Sequence, residues 1–138
     1  HKPPDPADPE DAKAFEVFAG YQLAESRRQN LADLLRLHET GETVVLIVEM
    51  PVVPAFYQFF PQGEAARAEF VETVSGMTEA AGSYFLPAIP QEMIPENGYS
   101  DRVHVNKFGA SVLSAYFGEW LAELHTQHGL DLRQGDGP

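Results

Sequence analysis

Apolar positions recur at helical spacing in three stretches of the chain and run unbroken in a fourth. From Asp11, the residues Phe15, Phe18, Leu23, Leu31, Leu34, Leu35 and Leu37 are interleaved with Glu25, Arg27, Arg28 and Asp33. That pattern predicts an amphipathic segment ending near Gly41, as one long helix or two shorter ones. Thr43 to Glu49 reads Thr-Val-Val-Leu-Ile-Val-Glu, a β-branched run that predicts a strand covered on both faces, as in a parallel sheet. Met50-Pro51 breaks it at its carboxyl end. Between Gly63 and Ala81, Ala65, Ala68, Phe70, Val71, Val74 and Met77 alternate with Glu64, Glu69, Glu72 and Glu79, a second amphipathic helix. Ser83 to Ile89 follows as a second short strand, and a proline-rich loop carries an Asn97-Gly98 turn signal. The last helix is predicted over Lys107 to Gln127, apolar at Phe108, Val112, Leu113, Tyr116, Phe117, Trp120, Leu121 and Leu124, with Gly129 as its stop.

The order helix, strand, helix, strand, loop, helix is the grammar of an α/β layer fold, and the expected class is a three-layer α/β/α (flavodoxin-like) arrangement. Two strands do not complete such a sheet, because a parallel sheet buried on both faces usually needs about four to six. A partial domain with few parallel strands is therefore expected, its remaining strands supplied by another segment or chain. Residues 1–10 hold four prolines and read as an extended arm or linker. Residues 11–129 form the α/β unit, and 130–138 a flexible tail. No internal repeat of 20–50 residues is visible.

Charge narrows the partners. The 138 residues carry 21 acidic and 9 basic side chains, a formal charge of −12, which argues against a nucleic-acid backbone or an anionic membrane surface. With 43% hydrophobic residues the chain can bury a real core, and it has no cysteine, so neither disulfides nor thiolate metal sites arise. No apolar run approaches the ~20 residues needed to span a bilayer. The chain starts at His1 instead of methionine, and with the incomplete sheet this points to a processed or trimmed piece of something longer. The compartment stays open.

The candidate chemistry sits in Asp101-Arg102-Val103-His104-Val105-Asn106-Lys107-Phe108-Gly109. A carboxylate three residues before a histidine, in a loop leading into a helix, can orient the imidazole as a proton acceptor. Each residue also has a plainer use: Asp101 as a turn cap, His104 as a surface loop histidine, Asn106 as the helix N-cap. Ser100, in Gly98-Tyr99-Ser100, reads as a turn residue, too close in sequence to the pair to attack. Glu49, at the carboxyl end of the first strand where ligands of open α/β sheets collect, is a candidate to line a site or a strand-end surface charge. Pro51 opens a segment with Pro54, Phe56, Tyr57, Phe59, Phe60 and Pro61 that suits a pocket wall or lid beside the strand end, or packing against further structure. His125 and His128 have a spacing a metal can use, but imidazoles at a helix carboxyl end already suit its dipole. No metal or other cofactor is expected.

Asp101-x-x-His104 with Asn106 and Gly109, after a short strand and before a terminal helix, resembles the last conserved block of SGNH (GDSL-type) hydrolases. The nearest flavour is the branch containing the D-alanyl transfer protein of teichoic acid modification and the alginate O-acetyltransferases. Glu49-Met50-Pro51-Val52 is similar to the end of a penultimate strand in that branch. The resemblance covers residues 12–127 in element order and implies an SGNH-type fold, acting on an acyl ester or an O-acylated small molecule or glycan. It implies Asp101 and His104 as the acid and base of a Ser-His-Asp triad, with Glu49, Pro51 and Asn106 near the substrate. An extracytoplasmic location follows from the resemblance alone. The family's serine lies in a Gly-Asp-Ser-like block, and this chain has none, nor a Gly-x-Ser-x-Gly elbow or a Gly-x-Asn-Asp block. The expectation is thus the carboxyl-terminal half of such a domain, inactive alone. The alternative is a non-catalytic α/β module that pairs with itself or a companion chain.

Overall fold

The structure, a computed structural model, describes residues 2–39 and 43–129. The predicted helix stop near Gly41 and the predicted tail at 130–138 lie outside the described residues. The chain begins with helix α1 (Pro9–Phe18), followed by α2 (Glu25–Glu39), so the first amphipathic stretch is two helices. The arm is shorter than its prolines suggested. Asp8 caps α1 by accepting from the Glu10 and Asp11 amides, and Pro9 takes the first turn, where its missing N–H is no loss. In α2 only Leu35 is buried, while Leu34 and Leu37 are exposed, so the leucine-rich face is only partly core.

Strand β1 (Leu46–Val48) is shorter than the predicted run. Its flanks leave the ladder for side chains: the Val45 amide donates to His38 Nδ1 at 3.2 Å, and Ser83 Oγ donates to the Val45 carbonyl at 2.5 Å. Helix α3 (Glu64–Ala80) crosses over to strand β2 (Tyr84–Leu86), and the two strands pair in parallel with Leu46 opposite Tyr84, Ile47 opposite Phe85 and Val48 opposite Leu86. Among the described residues this is a mixed α/β structure with one two-stranded parallel sheet. All three β1 residues are half-buried, so the strand is not fully covered on both faces as its composition predicted.

Helix α4 (Lys107–His128) follows the predicted bounds to within a residue, with Asn106 as N-cap and Gly129 ending it in the left-handed conformation at φ 64°. The core gathers between α4 and the segments that follow the strands. Val53, Ile89, Ile94, Tyr99 and Leu113 form its buried cluster, with Val112, Tyr116 and Phe117 of α4 packed against it. The core therefore underlies the loop that carries Asp101 and His104.

Candidate functional site

The loop between Tyr99 and Val105 is closed at its base by an antiparallel bridge between those two residues. The Ser100 amide donates to the His104 carbonyl at 2.8 Å, and the Asn106 amide to the Gly98 carbonyl at 2.9 Å. Inside this closed loop Asp101 Oδ1 accepts from the amides of Val103 at 2.8 Å and His104 at 2.9 Å. A carboxylate held by two backbone donors has one orientation, and the imidazole meets it there: His104 Nδ1 lies 2.8 Å from Asp101 Oδ2 and 3.1 Å from Oδ1. The Val103 amide first, and then the His104 ring, hold the Asp101 carboxyl below its usual range. An ionised Asp101 makes Nδ1 the protonated nitrogen and leaves Nε2 as the basic one, the tautomer general-base catalysis needs.

The pair is open to solvent, with side chains 55% exposed for Asp101 and 74% for His104. No hydroxyl hydrogen-bonds His104 among the described residues; Ser100 meets it only through the backbone. Asn106 is a clamp rather than a reactive group. Its Oδ1 accepts from the Phe108 and Gly109 amides at 2.9 and 3.2 Å, while Nδ2 donates to the Asn97 carbonyl at 2.6 Å and the Tyr99 carbonyl at 3.4 Å. That joins the turn before the loop to the helix after it.

Arg102, between the two candidate residues, faces away from that chemistry. Its guanidinium pairs with the buried Asp11 of α1 and stacks 5.2 Å from the centre of the Phe59 ring, and its carbonyl accepts from the Val53 amide at 3.0 Å. Asp11 is held low by the Arg102 guanidinium and by the Asp5 amide. Sequence reading passed over this residue, because its partner lies at the other end of the chain.

Glu49 is held in an ion pair instead of standing as a loose surface charge. Its carboxylate takes both forks of Arg67, Nε to Oε1 at 2.8 Å and Nη2 to Oε2 at 2.9 Å, and a third bond from the Ala88 amide at 2.8 Å. The Glu49 side chain is 10% exposed and that of Arg67 34%. Tyr57 sits against this pair, and burial first, then the Glu49 charge, pushes its phenol up to about 12. Beside the pair lies a cleft of about 170 Å³ with Glu49 and Arg67 in its wall. Pro51 is buried and lines a separate small cavity of about 90 Å³ with Tyr57, Arg67 and Ile89. Asp101 and His104 line neither. The structure thus places Asp101, His104 and Asn106 in one loop and sets Glu49 and Pro51 at the end of β1. The arginine that neutralises Glu49 carries no mark in sequence beyond being the one basic residue in the acid-rich helix α3.

Comparison of the chain with protein-family models, with curated proteins and with solved structures gives no match.

Proposed function

We propose that this chain supplies the acid–base pair of a Ser-His-Asp triad in an ester hydrolase or O-acyltransferase of the SGNH type, the attacking hydroxyl coming from elsewhere in the working assembly. The observation that carries this reading is the 2.8 Å contact between His104 Nδ1 and an Asp101 carboxylate already fixed by two amides. His104 Nε2 would take the proton of the attacking serine and return it to the leaving alkoxide, while Asp101 holds the tautomer and stabilises the imidazolium. In this reading β1 and β2 are the edge of a larger three-layer α/β/α sheet, and the further strands bring the serine.

Reconstitution of ester cleavage tests it. The chain combined with its companion segment should cleave a short-chain aryl ester, and His104→Ala should remove that turnover while leaving the assembly intact. Turnover retained in His104→Ala would take His104 out of the mechanism. The chain alone should show no more cleavage than free imidazole at equal concentration.

A second reading, a non-catalytic module that pairs with another chain, is favoured by one observation. β1 pairs on one side only among the described residues, and Val44 and Met50 at its two ends are 48% and 55% exposed. An open strand edge flanked by apolar side chains invites strand addition. Under that reading the Asp101 bonds serve only to shape the turn, and His104→Ala leaves association unchanged.

A further inference from the structure

The cleft at the carboxyl end of β1 has the makeup of a ligand site and is separate from the Asp101–His104 loop. Its walls are aromatic: Tyr21, Phe56, Phe60 and Phe70 all line it and all are half-buried. The first three are locked to one another, with Tyr21 edge-on to Phe60 at 4.9 Å and Phe56 edge-on to Phe60 at 5.5 Å, so the cleft is held open by packed rings. Met50, 55% exposed, stands at the rim. The polar end is the Glu49–Arg67 pair with the buried Tyr57 beside it.

The charge at that end is balanced. Glu49 takes one N–H each from Nε and Nη2 of Arg67, and the Tyr57 phenol oxygen is a further hydrogen-bond partner of the same guanidinium; the N–H groups that remain can only donate. The Tyr57 phenol stays protonated through the neutral range and donates as well. A ligand atom placed there must accept hydrogen bonds without carrying a full negative charge, because Glu49 stands within the same wall and the chain as a whole carries −12. A carbonyl oxygen meets that condition and a carboxylate does not. At about 170 Å³ the cleft holds on the order of six heavy atoms, taking ~30 Å³ for each.

We propose that this cleft binds a short neutral acyl group, butanoyl to hexanoyl in length, with its alkyl chain between the aromatic rings and its carbonyl oxygen on Arg67 and Tyr57. The site stands on its own lining and does not require ester chemistry at His104. The backbone bond from the Val53 amide to the Arg102 carbonyl joins the segment after the cleft residue Val52 to the loop that carries Asp101 and His104.

The test uses non-hydrolysable N-methyl alkanamides and reads binding by amide shifts in heteronuclear NMR spectra of the chain. Saturable shifts are expected at Ala66, Arg67 and Phe70, with affinity rising about fourfold per methylene from propanamide to hexanamide and levelling off beyond it. Met50→Trp, at an exposed position that tolerates the larger ring, should weaken hexanamide binding at least tenfold with the rest of the spectrum unchanged. Tyr57→Phe should weaken it several-fold, and hexanoate should bind more weakly than the amide. His104→Ala should leave binding as it is, which separates failure of this site from failure of the hydrolase reading. Shifts that do not saturate, no dependence on chain length, or equal binding by Met50→Trp would each overturn the proposal.

Discussion

Glu49 and Arg67 meet through both carboxylate oxygens, and the third bond on that carboxylate comes from the Ala88 amide, two residues past the end of β2. One side chain thus ties β1, α3 and the exit of β2, the three parts of the crossover. The Glu49 amide continues the ladder to the Leu86 carbonyl at 2.9 Å, and its carboxylate takes the Ala88 N–H. Arg67→Ala leaves a 90% buried carboxylate with one donor. The expected loss is about 2 kcal/mol, below the 3–5 typical of a fully buried pair because Arg67 itself is one-third exposed. Urea unfolding followed by Trp120 fluorescence measures it, and adding Glu49→Gln to Arg67→Ala should recover part of the loss. A change within about 0.5 kcal/mol, the range of ordinary surface substitutions, would show that the pair does not hold the crossover together.

Gly98 and Gly109 pack backbone to backbone where the loop meets α4. A Cβ on Gly109 would stand 2.2 Å from the Gly98 carbonyl oxygen, and one on Gly98 would stand 2.7 Å from Ile94 Cγ2. Gly118, in the same helix, has nothing within 4 Å of the corresponding position. Gly109→Ala should therefore cost about 2–3 kcal/mol by forcing the backbones apart, whereas Gly118→Ala should stabilise by roughly 0.5–1 kcal/mol through helix propensity. Equilibrium unfolding of the two variants side by side checks the contrast, and equal effects would remove the close approach as the reason for Gly109.

The elements whose ends are set locally were legible in the sequence. Helix α4 has a capping asparagine, a 3.6-residue apolar pattern and a terminal glycine, and all three signals concern neighbours within a few residues. Helix α3 was equally plain, and the Asp101–His104 contact is itself local, three residues apart. Pro9 misled because prolines count against a helix everywhere except in its first turn. The length of β1 was not legible, since His38 and Ser83 draw Val45 out of the ladder from opposite sides of the chain. The partners of Glu49 and of Arg102 were hidden for the same reason, being 18 and 91 residues away. Such pairs depend on how helices pack across the fold, which neither periodicity nor composition records.

Asn106 works through both ends of its amide, and conservative replacements should divide the two roles. Asn106→Ala removes the cap on the Phe108 and Gly109 amides and the bond to the Asn97 carbonyl, an expected loss of about 1–2 kcal/mol. Asn106→Asp keeps the cap acceptor but sets a carboxylate oxygen against the Asn97 and Tyr99 carbonyls, where the amide nitrogen now donates. An aspartate ordinarily caps as well as asparagine, so here it should be measurably worse. Thermal unfolding of the two variants at neutral pH decides this; an aspartate variant as stable as the parent would mean that the Nδ2 bonds contribute nothing.

The ionisation of Asp101 offers the sharpest view of the loop. Its carboxyl is held below the ordinary value by the Val103 amide first and by the His104 ring second. A carboxyl whose folded value is depressed contributes stability above its unfolded value, and that contribution is lost as the pH falls through the folded one. The loop should therefore stay ordered through the range where free aspartates titrate and loosen only at lower pH. His104→Ala should raise the Asp101 value only in part, because the larger contribution is the backbone donor at 2.8 Å, which the substitution leaves in place. Side-chain carboxyl carbon shifts followed by NMR between pH 2 and about 6 report both the position of the titration and its change in the variant. Complete return to the free-aspartate value in His104→Ala would make the imidazole the sole source of the shift. It would also mean that the backbone of the loop does not prepare the carboxylate before the histidine meets it.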